Sequence, residues 1–432
     1  MTRRDLVKTA LTAAPAVRIG RTSPNEKFVI ACMGVRGRAG GLMTGFADLA
    51  DVEIATLCDV DSRLFNDAVK KVESRGKKTP KIAGDFRRAL DDKSIDALVV
   101  GTPDHWHAIP SILACQAGKH VYVEKPCSHN VREGQTMLAA ARKYNRVMQV
   151  GIQSRSGRHF GEAMDYIRSG ALGKVVFARA WETSVQKPIP PRPDEPVPAG
   201  VDYDMWLGPA PKRPFNPLRF HSHWHWFFDF GTGDLGNDGV HRVDYARRGL
   251  EAAFEAMGRK LPTWPSAVSA SGGKLFFDDA QEWPDTMIVT WDYPGATMMY
   301  EMRIWSPNAM VDADEEGATI YGENGCVHIG NRHWRAIGPK GKILHAGTES
   351  GNDQHDPAHK RNFLDCIRDG KRPTCDIDIG HVSSALCHIG NLAWRVNRKL
   401  RFDPSTQTFP GEAEANRLLG RTYRAPWTLP QA

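Results

Sequence analysis

The sequence predicts an α/β chain: a parallel sheet covered on both faces by helices up to residue 150, then a second α/β domain. Three observations carry this. Short, continuously apolar runs alternate with amphipathic segments between Lys27 and Val150. A glycine cluster sits where the first run meets the first helix. Beyond residue 151 the longer strands alternate apolar and polar residues, as a sheet with one covered face requires.

Taken in order, "KFVIACMG" reads as a buried strand and "LMTGFADLA" as a helix, with Leu42, Met43, Phe46 and Leu49 at helical spacing. "DVEIATLCDVD" is a second buried strand and "SRLFNDAVKKVESRG" an amphipathic helix. "SIDALVVGTPDHWHA" runs from strand to helix, and "KHVYVEKP" and "RVMQVGIQS" complete the set. In the second half, "GEAMDYIRSGALG" is a helix and "KVVFARAWETS" an alternating strand. The proline-rich loop "QKPIPPRPDEPVPAG" suits a lid or an interface arm. "DTMIVTWDY" and "ATMMYEMRIW" are further alternating strands. The expected units are a leader over 1–25, a nucleotide-fold domain over 26–150 and a substrate domain over 151–432.

Composition narrows the function classes. The 432 residues carry 57 Lys plus Arg against 50 Asp plus Glu, and the +7 excess is spread without a basic block, which argues against nucleic acid. No later stretch approaches a membrane span, so no membrane anchor is expected in the mature protein. Arg3-Arg4 followed by an apolar, alanine-rich stretch and Ala14-Pro15-Ala16 resembles a bacterial twin-arginine export signal. Its function implies a periplasmic or otherwise exported protein; a frayed basic terminus would leave the protein cytoplasmic. The eight cysteines form no C-x-x-C pair and read as scattered core thiols, which export after folding would accommodate.

Ligands of such a sheet sit beyond the carboxyl ends of its strands. The first such loop is G-V-R-G-R-A-G, from Gly34 through Arg36, Gly37 and Arg38 to Gly40. A glycine-rich strand-to-helix turn lets backbone amides approach a pyrophosphate. The second strand ends in Asp59, placed to accept hydrogen bonds from a ribose 2′-hydroxyl and to repel a 2′-phosphate, which favours NAD. Arg36, Arg38 and Arg63 lie near enough in sequence to leave NADP open.

A later strand ends in Glu124-Lys125-Pro126, where the nicotinamide end of a dinucleotide belongs. Together with Gly34-x-x-Gly37, "GTPDHWHA", "GKHVYVEKP", "GTGDLGNDGVHRVD", "HKRNFLDCIRDGKRP" and "HIGNLAWRVNRKLRFDP", this segment resembles the Gfo/Idh/MocA (glucose–fructose oxidoreductase, inositol dehydrogenase, rhizopine catabolism) family over nearly the whole chain after residue 25. The resemblance implies a Rossmann dinucleotide-binding domain and a C-terminal α+β domain with a large open, mostly antiparallel sheet, often an oligomer interface; a homodimer or homotetramer is expected. It also implies an NAD(P)-dependent oxidoreductase working by hydride transfer on a hydroxyl of a sugar, glycoside or polyol. Lys125 would stabilise charge on the reacting oxygen and His241 would take its proton. Glu124 would contact the cofactor, and Pro126 would fix a tight bend, with a cis peptide before it in keeping with the low cost of X–Pro isomers. Thr102, Pro103, His105 and His107 look like the nicotinamide-side loop, and Gln153 and Arg155 begin the crossover beside the site.

One position departs from the family pattern. Members commonly carry Asp four residues before the catalytic His; here that residue is Asn237, which orients an imidazole but cannot ionise. Asp234 or Asp238 can stand in for it. Trp181 and Trp224 are expected at the substrate, as are Arg155 and Asp238. His221, His223 and His225 alternate as on one strand face; with Trp224, Trp226 and Phe228 between and beside them they read as a sugar-stacking wall, and no metal site is assigned.

An exported enzyme has no dinucleotide pool to draw on, so the cofactor is expected to be tightly bound and regenerated in place. A redox-neutral NAD-dependent glycosidase, working through a transient keto-sugar and elimination, is therefore the alternative chemistry. A non-catalytic sugar-binding protein is the third reading, against which Lys125 and His241 both stand.

Overall fold

The computed structural model describes residues 27–306, 314–349 and 355–432. The leader expected over 1–25 lies outside the described residues. Two sheets organise the rest. The first contains β1 (Phe28–Met33), β2 (Val52–Cys58), β3 (Lys81–Ala83), β4 (Ala97–Val100), β5 (His120–Val123) and β6 (Met148–Val150). All are parallel, in the order β3-β2-β1-β4-β5-β6. That order reverses direction between β1 and β4, the switch point where a doubly wound sheet leaves a crevice.

Its helices are α1 (Gly37–Ala47), α2 (Phe65–Glu73), α3 (Arg87–Asp91), α4 (Ala108–Gln116) and α5 (Val131–Lys143). The inner strands are apolar on both faces because helices cover both, and Ile30, Ala31, Leu98, Val100, Val121 and Val123 are fully buried; the edge strand β3 is exposed. The loop after β5 ends where Asn130 caps α5, its side chain accepting from the Glu133 amide at 3.1 Å. Such a cap is worth about 1 kcal/mol.

The second sheet has nine strands: β7 (Val175–Thr183), β8 (Ala267–Gly273), β9 (Thr286–Tyr293), β10 (Ala296–Arg303), β11 (Glu316–Gly322), β12 (Gly325–Ile329), β13 (His333–Ile337), β14 (Ile343–Thr348) and β15 (Leu400–Arg401). Only the β7–β10 pair is parallel. Alternation divides its faces: Ala178, Ala180, Met298, Tyr300 and Ile320 point inward, while Arg179, Thr297 and Glu301 point outward.

Covering the inner face are α6 (Arg158–Arg168) and α9 (Gly239–Ala256), with α8 (Gly233–Asn237) packed against α9 and a short α7 at Tyr203–Leu207. The chain ends with α10 (His355–Asp369), α11 (Ile377–Arg395) and α12 (Ala413–Leu418). Here α10 returns to the first sheet, where Phe363 packs edge-on against Phe46 and Tyr122. Helix α11 packs against both α5 and α9 and so ties the two halves together.

The expectation for His221 to His225 is corrected. The stretch is a run of turns with a short 3-10 helix at Trp224–Trp226, not a strand, so the three imidazoles do not share a strand face. His221 has φ 68°, and Gly231 lies so close to His225 that a Cβ there would sit 2.3 Å from its Cα. Neither constraint is visible in an alternating sequence. All eight cysteines are free, and every one but Cys326 is buried.

Candidate active site

At the switch point, β1 leaves the sheet through Gly34, with φ 90°, and its amide donates to the Cys58 carbonyl at 2.8 Å. That left-handed turn aims the N-terminus of α1 into the crevice. Across from it, Gly101 ends β4; a Cβ there would lie 2.7 Å from that of Ala39, so only a bare backbone lets α1 pack this closely. The resulting pocket is lined by Gly34, Arg36, Gly37, Arg38, Asp59, Thr102 and Pro103 from the first sheet. Met205, Trp206, His221 and Trp224 close it from the second half.

Asp59 stands immediately beyond β2. Its carboxylate accepts from the amides of Val35 at 3.1 Å and Asp61 at 3.0 Å, which fixes its direction. Burial raises its pKa, and the two amides act against that shift by favouring the charged form. Two of the three nearby arginines are already held by acids. Arg63 grips Asp61 through Nε at 2.7 Å and Nη2 at 2.6 Å, and Arg38 donates to Glu124 and Asp356, each at 2.7 Å. The buried Thr102 hydroxyl has no partner among the described residues, leaving a polar atom in the crevice wall for a ligand. These features fit a dinucleotide: a positive-φ glycine turn, a fixed acid at the second strand and an unpaired hydroxyl.

Glu124, Lys125 and Pro126 divide three tasks. Glu124 turns inward, where Arg38 holds it and the Gln153 amide reaches it at 3.5 Å. The Lys125–Pro126 peptide is cis. Lys125 crosses to the second half, its Nζ donating to the Asn237 carbonyl at 2.7 Å and to Asn237 Oδ1 at 3.0 Å. Asp238 Oδ1 lies 3.7 Å from the same ammonium. Asn237 therefore positions the lysine, and its own Nδ2 donates to Asp238 Oδ2 at 3.1 Å.

His241 follows on the first turn of α9. Burial holds its imidazole well below the ordinary value, and Lys125 is the strongest charge pushing the same way. Its Nδ1 is buried with no partner among the described residues. The arrangement is an ammonium from one domain held at the end of the helix turn that precedes an imidazole with an unpartnered Nδ1 from the other. Two buried acids belong to the same half: Asp234, with neither oxygen partnered among the described residues, and Glu182. Burial raises the pKa of both, and the neighbouring carboxyls of Asp234, for Glu182, and of Asp238, for Asp234, add to it.

Other expected site residues have different work. His105 is buried and contacts the carbonyls of Trp206 at 2.9 Å and Phe230 at 3.4 Å; burial takes its pKa down to about 3. His107 bridges the carbonyls of Thr102 and Pro126, both at 2.7 Å, and so braces two crevice loops from behind. Both were expected to contact the cofactor directly; buried ring nitrogens committed to backbone make them supports instead. Arg155 was expected at the substrate, but its guanidinium is locked on Asp244 at 2.8 Å, with both groups buried, and anchors α9. Trp181 is likewise corrected. It lies on the outer face of β7, opposite the Glu182 side that faces Arg242, and stacks on His328 at 5.3 Å. Trp224 borders the nucleotide pocket.

Sequence reasoning missed His355 and Glu349. His355 Nδ1 and His159 Nδ1 each contact Glu349 at 2.8 Å. They come from α6, α10 and the end of β14, and no local spacing signals their meeting.

Comparison with known proteins agrees with this geometry. A profile described as "Oxidoreductase family, NAD-binding Rossmann fold" matches residues 29–152. The companion profile, "Oxidoreductase family, C-terminal alpha/beta domain", matches 181–252 and 312–429. Levoglucosan dehydrogenase of Pseudarthrobacter phenanthrenivorans is 30% identical over 193 residues, 44% of this chain and 42% of that protein. Glycosyl hydrolase family 109 protein 1 of a Shewanella species is 25% identical over 181 residues, 40% of this chain and 39% of that protein. Both matches thus span about two fifths of the relatives' length. The aldose-aldose oxidoreductase of Caulobacter crescentus, solved with glycerol, shares the fold with a TM-score of 0.64 at 22% identity, covering 87% of this chain and 100% of that one.

Proposed function

The chain belongs to the Gfo/Idh/MocA oxidoreductase family, with an NAD-binding Rossmann domain, and from that premise we propose that it oxidises a carbinol of a sugar, glycoside or polyol. The observation that carries the proposal is the meeting of Lys125 with Asn237 and Asp238 at the domain junction, directly before the helix turn that bears His241. The glycine turn at Gly34, Thr102 and the Asp59 carboxylate would hold the dinucleotide. When bound, NAD supplies the acceptor for the hydride that leaves the carbinol carbon.

The protein does the remaining work. Lys125 places positive charge where the substrate oxygen gains electron density as its proton departs. Asn237 accepts two hydrogen bonds from Nζ, which stops the ammonium from swinging into solvent. His241 is neutral at ordinary pH because burial and Lys125 both disfavour its charge, so it is ready to accept the hydroxyl proton. Asp238, within 3.7 Å of Lys125, offers an anion to stabilise a proton passing outward.

The sugar class is supported by the name of the levoglucosan dehydrogenase relative. The glycosyl hydrolase family 109 relatives support a second reading, in which the hydride is returned after a glycosidic substituent is eliminated. One experiment separates them. Protein purified without chelators or nucleotide is incubated with NAD and aryl glycosides. Stoichiometric NADH indicates a dehydrogenase; aglycone release without net NADH indicates the redox-neutral route; neither, over a broad sugar panel, refutes both.

The proposal extends to export by the twin-arginine route with tightly retained cofactor, supported by Arg3-Arg4 and the following small residues. It also extends to a homodimer or homotetramer through the outer face of the nine-stranded sheet, where Ile288 and Tyr321 are exposed. Fractionation of cells and sedimentation of the purified chain test these two points.

A further inference from the structure

The outer face of the large sheet carries a constellation that the redox chemistry does not use. Asp314, His328 and His333 bring their donor atoms within 4.8 Å of one another, the one such group of three found among the described residues. We propose that these residues form a binding site for a divalent d-block cation, best suited to Zn²⁺, outside the nucleotide crevice.

The donor set comes from three places in the sheet. His328 lies on β12, His333 opens β13 across a tight hairpin, and Asp314 precedes β11. His328 Nε2 hydrogen-bonds Asp314 Oδ2 at 2.5 Å, and His333 Nε2 lies 3.0 Å from the same oxygen, buried and without a hydrogen bond among the described residues. Tetrahedral Zn²⁺ with bonds near 2.0–2.1 Å separates neighbouring donors by about 3.3 Å, and the three donor atoms already lie within 4.8 Å of one another, so side-chain shifts on the order of 1 Å admit the ion. Two imidazole nitrogens with one carboxylate oxygen is a donor set that Zn²⁺ accepts, leaving a position for water or a fourth ligand.

The surroundings are those of a built site. His328 is fully buried and Trp181 stacks on its ring at 5.3 Å and 16°, which fixes the plane of the imidazole. Thr319 Oγ1 lies 3.5 Å from Nδ1, a long contact on the side that would carry the proton when Nε2 binds metal. The Trp181 indole donates to the Asp314 carbonyl at 3.3 Å and so places the backbone of the third ligand. Gly330 makes the convergence possible: a Cβ there would fall 2.6 Å from His333 Cε1 and 3.1 Å from Asp314 Oδ2. His333 and Asp314 keep 23% and 20% of their side-chain surface exposed, giving an ion a route from solvent. The rival arrangement is a carboxylate that only hydrogen-bonds two histidines.

The test uses the full, tag-free chain, stripped with chelator, loaded with Zn²⁺ or Co²⁺ and desalted. About one retained Zn²⁺ per chain is expected, with visible Co²⁺ bands of tetrahedral intensity. Asp314→Ala and His333→Ala should each lower retained Zn²⁺ at least about tenfold, while NAD binding in the crevice, measured by fluorescence, confirms that the variants fold. His223→Ala should retain the metal. The proposal is overturned if the parent chain keeps no Zn²⁺, if folded Asp314→Ala keeps as much as the parent, or if only His223→Ala loses it.

Discussion

The nucleotide crevice and the cleft at Lys125 adjoin each other, yet they are built by different means. Backbone builds the crevice: Gly34 turns with φ 90°, Gly101 gives way to α1, and Asp59 is fixed by two main-chain amides. Side chains reaching across a domain junction build the cleft, with Lys125 from the loop after β5 meeting Asn237 and Asp238 from the turn between α8 and α9. A site made of backbone tolerates side-chain change and binds; a site made of a few side chains fails when one is removed. Substitutions in the cleft should therefore cost rate, and those in the crevice should cost cofactor affinity.

The largest effect is expected from Lys125→Ala. It should lower kcat about 10³-fold, read from nicotinamide absorbance, with far-UV circular dichroism and NAD affinity unchanged. His241→Ala comes next, at about 10²-fold in kcat, again with cofactor binding intact. Asp59→Asn should raise the NAD Kd about tenfold by weakening a charge-assisted hydrogen bond, while kcat at saturating NAD stays near that of the parent. Should Asp59→Asn instead lower kcat while sparing affinity, the division between the two regions fails.

Acid stability sharpens the contrast further. Burial lowers His105, His120 and His388 to about 3, and His225, His359 and His381 to about 4. Each stays neutral in the fold but gains a proton near pH 6.5 once unfolded, so stability falls as pH drops below about 6.5 and continues to fall to about 4. Asp104, raised to about 7 by burial, works the other way between pH 4 and 7, as do Asp59, Glu133, Glu182, Asp234 and Asp376, which burial also raises; His107, His129, His159 and His241, all lowered by burial, side with the six histidines, so ten imidazoles oppose six carboxylates. The melting temperature should fall steadily from pH 6.5 to 4, by an amount that a pH-jump thermal scan resolves. The smallest effect belongs to Asn237→Asp. An added carboxylate still accepts from Lys125 Nζ, so kcat should change no more than about fivefold, with the acid limb of the pH–rate profile displaced.

The same difference explains what was legible in the sequence. The parallel strands, the glycine turn and Asp59 are local patterns, because sheet periodicity and positive-φ turns leave their mark within a few residues. Lys125 and His241 are proposed through motif resemblance, because residues more than a hundred positions apart leave no mark in local spacing. His105, His107 and Arg155 sit in the right segments, yet their side chains turn to backbone carbonyls and Asp244, and rotamer direction has no sequence signature. Trp181 failed through period: on an alternating strand the neighbouring Glu182 faces the site side, so the tryptophan had to face away. Asn237 is the instructive case. Read as a partner for His241, it instead accepts from the lysine through both its carbonyl and its side-chain oxygen at the end of α8.

The most direct test is a single-turnover experiment with cofactor-loaded protein and sugars deuterated at successive carbinol carbons. Deuterium should reach C4 of the bound nicotinamide from one carbon of an accepted sugar, at a rate reduced about 10³-fold in Lys125→Ala and about 10²-fold in His241→Ala. Label transfer at the parent rate in both variants, or none from any bound sugar in the parent protein, would contradict the assignment of this cleft as the place where the carbinol reacts.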